Sequence, residues 1–171
     1  EFRKEWFGDA PRLKVLATPG AGRELLPSDA DMPHGVVKFH GEFHGAIMSE
    51  TVIAYMLAWC RGIYPAYRWQ QSGDAADLWR RVDLGDVCFS LAGTRAVILG
   101  YGRIGRAIGG KLVSLGVQVC GIRRGNLAEL PKAVSDADWL ICVLPSDTGT
   151  DDIVDAEILG RMKRSAVLIN V

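Results

Sequence analysis

An α/β fold built on a parallel sheet is what these 171 residues predict, and three observations carry that expectation. After Gly93, continuous apolar runs ("AVILG", "VQVCGI", "WLICVL", "AVLIN") alternate with helical patterns. Strands that are apolar on both faces belong to sheets covered by helices on both sides. The first of these runs passes directly into a glycine-rich turn that opens a helix. The composition is 49% hydrophobic, enough to pack a core at this length.

The totals exclude several classes. Twenty Lys plus Arg balance twenty Asp plus Glu, so no field of one sign gathers nucleic acid or an anionic membrane. The most apolar stretch, "AIMSETVIAYMLAWC", is interrupted by Glu50 and too short to span a bilayer, and no segment resembles a signal peptide. Cys60, Cys88, Cys120 and Cys142 stand far apart with no Cys-x-x-Cys pair; buried thiols in a reducing cytosol are favoured over disulfides or a metal site. A cytoplasmic location is expected. The chain opens on "EFRKEW" without a methionine and stops on "SAVLINV", and both ends read as cut, because a terminal β-branched run needs neighbours on each side.

In chain order, "LKVLATPGAGRELL" (13–26) predicts a short strand and a glycine-rich turn, and "HGVVKF" (34–39) a second strand. Together they form the tail of an α/β unit. From Ser49, a candidate N-cap, to about Arg61 the pattern is helical, with Val52, Ile53, Met56, Leu57, Trp59, Cys60 and Ile63 covering most of the circumference. Such a helix is buried or meets another domain or subunit. Between Tyr64 and Leu91 the mixed composition predicts a polar excursion pinned by Trp69 and Trp79. Beyond Gly93 come a strand, a helix from about Arg103 to Leu115, a strand, a weak helix near "NLAEL", a strand, the helix "DAEILGRMK" and a last strand. His34, His40 and His44 fall within eleven positions, but without a carboxylate or thiolate at ligand spacing a surface or loop role is favoured over a metal site.

"VILGYGRIGRAIGGKL" places Gly100, Gly102 and Gly105 in G-x-G-x-x-G spacing directly after a strand, with Ile104, Ala107, Ile108 and Leu112 on one helix face. In a Rossmann-type doubly wound sheet, Gly100 permits the tight turn, Gly102 lets the backbone approach a pyrophosphate, and Gly105 allows close helix–strand packing. The N–H groups and dipole at the helix start favour the phosphate charge. Gly109 and Gly110, both in mid-helix, carry a propensity cost and mark a further close contact. The second strand ends at Arg123, eighteen positions after Gly105, where a carboxylate would receive the ribose hydroxyls of NAD. Arg123 and Arg124 can instead bind a 2′-phosphate through charge-assisted hydrogen bonds, so NADP is preferred over NAD.

"LAGTRAVILGYGRIGRAIGGKLVSLGVQVCGIRR" resembles the nucleotide-binding core of the D-isomer-specific 2-hydroxyacid dehydrogenases, in particular glyoxylate and hydroxypyruvate reductases. "APRLKVLATPGAGRELL", "MSETVIAYMLAWCRGI" and "ADWLICVLPSDTGTDDIVDAEILGRMKRSAVLINV" are similar to further blocks of that family in the same order, although Ser49 stands where the family has alanine. The resemblance implies the end of a flavodoxin-like substrate domain in residues 1–46 and the first half of the nucleotide domain in residues 47–171, with a hinge and dimer helix. It implies hydride transfer between NADP or NAD and a small 2-keto or 2-hydroxy acid, in a homodimer. Gly20, Ala21 and Gly22 match the loop that holds the substrate carboxylate. Gly100, Gly102, Arg103, Ile104 and Gly105 match the cofactor turn, Leu144, Pro145 and Thr150 the adenine and ribose side, and Asn170 and Val171 the nicotinamide end. The family's substrate-clamping Arg, and its His held by a Glu, are expected beyond Val171, so no catalytic residue is assigned here. Two other readings stay open: a non-catalytic dinucleotide sensor of the corepressor kind, and a truncated, inactive nucleotide-binding domain.

Overall fold

The short strands near the start and the apolar runs beyond Gly93 form two separate parallel sheets. In the computed structural model, which describes residues 3, 5–19, 26–41, 44–71, 85, 88–146 and 148–171, a one-turn helix α1 (Trp6–Asp9) precedes β1 (Val15–Thr18). β1 pairs with β2 (Val37–His40), Val15 facing Val37 and Thr18 facing His40. Two helices follow, α2 (His44–Cys60) and α3 (Ile63–Gln71). The larger sheet comprises β3 (Arg95–Leu99), β4 (Gln118–Ile122), β5 (Trp139–Cys142) and β6 (Val167–Asn170), in the spatial order β4-β3-β5-β6. Its connections carry α4 (Arg103–Ser114), a 3-10 segment (Arg124–Glu129) with α5 (Leu130–Ser135), and α6 (Ala156–Arg161).

Alternation along each strand divides the core in two. Ala96 and Ile98 of β3, with Trp139, Ile141 and Ile169, meet Val52, Met56 and Cys60 of α2 and Ile108 and Leu112 of α4. Val97 and Leu99 face the other way, with Ile122 and Leu140, onto Leu130, Val134 and Ile158. The sheet is therefore covered on both faces, as continuous apolar strands require. Full burial of a side chain such as Val52 or Met56, each 0% exposed, contributes about 1.5–3 kcal/mol.

Three expectations change. α2 begins at His44, five residues before the expected start, and Ser49 lies buried inside it, its hydroxyl donating to Ala46 O at 2.7 Å, so it is no N-cap. The helix runs across the 46/47 position. The excursion after Tyr64 is helical through Gln71, with Pro65 in the first turn of α3 where a missing N–H costs nothing; Trp79 lies outside the described residues. Of the two mid-helix glycines, Gly109 is buried against the Tyr101 side chain, whereas a Cβ on Gly110 would meet nothing within 4 Å.

The amino-terminal edge of the large sheet is fastened by Asp138. Its Oδ2 accepts the Arg95 N–H at 2.8 Å and its Oδ1 accepts Lys163 Nζ at 2.9 Å. Burial pushes this carboxyl up, but the hydrogen bonds from Lys163 and Arg95 and their positive charges outweigh it, leaving the pKa below the ordinary value. Fastening at this edge leaves the opposite, carboxyl ends of the strands to carry the loops.

Candidate functional site

Those carboxyl ends lie level: Leu99 is paired with Ile122 on one side and Cys142 on the other, and Cys142 with Asn170. Chain order reverses at β3, because β4 lies on one side and the next strand, β5, on the other. Loops leaving β3 and β5 diverge at such a reversal and open a crevice, the usual ligand position in open α/β sheets. A cleft of about 600 Å³ lies there, walled by Gly100, Tyr101 and Gly102 after β3, by Arg123 and Arg124 after β4, and by Val143, Leu144 and Pro145 after β5.

The glycine turn is fixed by contacts across the sheet. Gly100 has φ of 95°, and a Cβ there would run into the carbonyl oxygen of Val143, so both its conformation and its neighbour exclude a side chain. The N–H groups of Gly100 and Tyr101 both donate to Ile122 O, each at 3.0 Å, which ties the turn to the end of β4. A Cβ on Gly102 would meet nothing within 4 Å, so its missing side chain leaves open space at the cleft. α4 has no side-chain cap, and the Arg106 N–H donates to Gly102 O at 3.0 Å. An uncapped helix start of twelve residues directs donors and a positive dipole end toward the turn.

The end of β4 is shaped by Asn126, which the sequence reading passed over. Its Oδ1 accepts the Arg123 N–H at 2.7 Å, and its Nδ2 donates to Gly121 O and Glu129 Oε2, each at 3.3 Å. Arg123 Nε donates to Tyr101 O at 2.9 Å, and the guanidinium lies 5.6 Å from the centre of the Tyr101 ring. No Asp or Glu is among the described residues lining the cleft. On the β5 side, Thr150 Oγ1 donates to Pro145 O at 2.6 Å and closes the loop, which gives a physical reason for a threonine five residues after the proline.

The cleft thus gathers Gly100, Gly102, Arg123, Arg124, Leu144, Pro145 and Thr150. Five candidates stand outside its wall. Arg103 is exposed in the first turn of α4, Ile104 packs against the core, and Gly105 is buried where a Cβ would lie 2.5 Å from Gly100 O. Asn170 ends β6, exposed, and the Val171 N–H donates to Cys142 O at 3.1 Å. Gly20, Ala21 and Gly22 lie outside the described residues. The wall adds Tyr101 and Arg106, which the motif spacing did not single out; Arg106, four residues after Gly102, returns to the same side of the helix. His34 is exposed and His44 Nε2 contacts Pro19 O at 2.9 Å. All four cysteines are free, and burial pushes the Cys60 thiol pKa up.

Sheet order and glycine turn together place this chain in the Rossmann class of nucleotide-binding folds. The chain belongs to the D-isomer specific 2-hydroxyacid dehydrogenase family, whose NAD binding domain model matches residues 53–171. Among curated relatives it is 26% identical over 173 residues to glycerate dehydrogenase of Methylorubrum extorquens, covering 99% of this chain and 55% of that one. It is 29% identical to glyoxylate/hydroxypyruvate reductase B of Pectobacterium carotovorum, covering 98% of this chain and 56% of the relative. The chain therefore spans about half the length of these relatives. An acyclic imino acid reductase solved with NADPH and D-Arg superposes with a TM-score of 0.82 at 19% identity, over 99% of this chain and 56% of its own, a likeness of fold.

Proposed function

We propose that this chain is the cofactor-binding part of an NADP-preferring reductase that moves a hydride between the nicotinamide and the carbonyl or hydroxyl carbon of a small 2-keto or 2-hydroxy acid. The observation that carries the cofactor preference is the end of β4, where two arginines and no described carboxylate line the cleft. A 2′-phosphate would be repelled by a carboxylate and held by guanidinium groups.

In this reading the turn at Gly100 and Gly102 and the backbone of Arg103, Ile104 and Gly105 receive the pyrophosphate. Open space over Gly102 and the uncapped start of α4 fit that group. Leu144, Pro145 and Thr150 wall the adenine and ribose side. Asn170 and Val171, at the neighbouring strand end, approach the nicotinamide. When bound, the nicotinamide supplies or accepts the hydride. Gly20, Ala21 and Gly22 hold the substrate carboxylate, and the family's clamping Arg and Glu-supported His are expected beyond Val171. Residues 1–46 form the end of a substrate domain and residues 47–171 belong to the nucleotide domain. A homodimer is part of the reading, supported by the exposed aromatic and aliphatic side chains on α2 and α3, among them Tyr55, Trp59 and Tyr64. A cytoplasmic setting is supported by the free cysteines.

The test is titration of the complete protein with NADPH and NADH, before and after changing Arg123 and Arg124 to alanine. The expected result is tighter NADPH binding, lost by about tenfold or more in the double variant as charge-assisted bonds disappear, with NADH affinity within about twofold. Equal affinity of the unaltered protein for both nucleotides refutes the phosphate role.

A further inference from the structure

Tyr101 stands between the first two glycines of the turn, at a position the motif leaves free. Its ring occupies a slot between sheet and helix. A Cβ on Gly121 of β4 would lie 2.7 Å from its Cδ2 and strike its Cγ, and a Cβ on Gly109 of α4 would lie 2.8 Å from its Oη. Glycine weakens both the middle of a helix and the interior of a strand. Here two such positions, on different elements, face one ring. The ring also packs against the buried cluster beneath α4, so its place is set from several sides.

Arg123 is held by this residue twice. Its Nε donates to the Tyr101 carbonyl at 2.9 Å and its guanidinium carbon lies 5.6 Å from the ring centre, within cation–π range. The backbone of Arg123 is fixed separately, by Asn126. The bonded nitrogen is the inner one. Among the described residues no hydrogen bond or ion pair is formed by the two outer nitrogens, the pair that binds a phosphate in parallel. A long, flexible side chain at the cleft wall is thus restrained before any ligand arrives, and restraint of that kind raises affinity by lowering the ordering cost of binding.

Resting on the NADP-preferring reading above, we propose that Tyr101 is a positioning residue that presents Arg123 to the 2′-phosphate, making it a determinant of nucleotide choice that touches the phosphate only through another side chain. Its hydroxyl is not needed for this; its ring is.

The experiment measures NADPH and NADH dissociation constants for the complete protein and for Tyr101→Leu, Tyr101→Phe, Arg123→Ala and the Tyr101→Leu/Arg123→Ala pair, with thermal melts alongside. Tyr101→Leu is expected to weaken NADPH by about fivefold, the size of one exposed cation–π contact, and NADH by less than about twofold. Tyr101→Phe restores the preference. In the Arg123→Ala background, Tyr101→Leu adds no further selectivity, because the side chain it positions is gone. Should Tyr101→Leu fail to fold, Tyr101→Met fills the slot without a ring and carries the same expectation. Equal weakening of both nucleotides by Tyr101→Leu, or a selective loss that adds to that of Arg123→Ala, overturns the proposal while leaving the NADP reading intact. An Arg123→Ala variant with an unchanged NADPH-to-NADH ratio also overturns the proposal, whereas equal affinity of the unaltered protein for the two nucleotides overturns the NADP reading beneath it.

Discussion

Alanine at Gly105 and alanine at Gly110, five residues apart on α4, should move stability in opposite directions. A Cβ at Gly105 would lie 2.5 Å from Gly100 O and 3.2 Å from Cγ2 of Ile98, inside the 3.0 Å limit that real Cβ atoms keep for the first of these. The start of α4 must therefore retreat from β3 by about half an ångström or more. Overpacking of this kind costs about 1–3 kcal/mol. Replacing a helical glycine returns only about 0.5–1 kcal/mol. At the central values of about 2 and about 0.75 kcal/mol the clash wins, and the net loss of about 1 kcal/mol lowers the melting temperature by about 2–4 °C for a chain of this size. At Gly110 no atom lies within 4 Å of the added methyl, so the propensity gain stands alone and raises Tm by about 1–4 °C. Calorimetric or circular-dichroism melts at neutral pH read both. NADPH titration adds a second reading, since a displaced helix start weakens binding in Gly105→Ala and leaves Gly110→Ala unaffected. Shifts of the same sign in the two variants refute the packing argument.

Asp138→Asn tests the clamp at the amino-terminal edge. The folded-state pKa of Asp138 lies below the ordinary aspartate value of 3.8, so its contribution is fully present above that value and lost as pH falls through the lower folded one. The variant should melt lower at pH 7 and lose less Tm than the unaltered protein on acidification below about pH 4; parallel acid limbs refute the assignment. For the proposed homodimer, sedimentation at micromolar concentration should find two chains, and Trp59→Glu, a change at a side chain 55% exposed on α2, should shift the distribution to monomer. A monomeric unaltered protein ends that reading.

Elements whose signal is local were legible in the sequence. β3, β5 and β6 are apolar on both faces and fall within a residue or two of their expected spans, and the glycine turn leads into α4 at Arg103 as its spacing predicts. α2 was misjudged at its start because Ser49, a residue type favoured at helix N-caps, stands just before the apolar pattern. In the fold, a Cβ on Gly45 would lie 3.3 Å from Ala107 Cβ, so glycine there serves the close approach of α2 to α4, and the Ser49 hydroxyl turns back onto the preceding helical turn. At Gly45 a contact between distant segments outweighed local preference, whereas the buried Ser49 hydroxyl found its partner within the helix itself.

The same distinction governs the cleft. Arg123 and Arg124 could be read as a pair because they end a recognisable strand at a known distance from the turn, and charge at that place has a direct chemical meaning. Tyr101 could not, because its role depends on Gly121 and Gly109, glycines from different elements that meet only once β4 and α4 have packed. The neighbouring Gly109 and Gly110 make the point within two residues. In sequence they are equivalent, two costly glycines in one helix. In the fold one is a wall of the slot that seats the ring beneath Arg123, and the other borders open space. An alanine at Gly109 should therefore disturb the nucleotide preference through the ring, while an alanine at Gly110 changes only the helix.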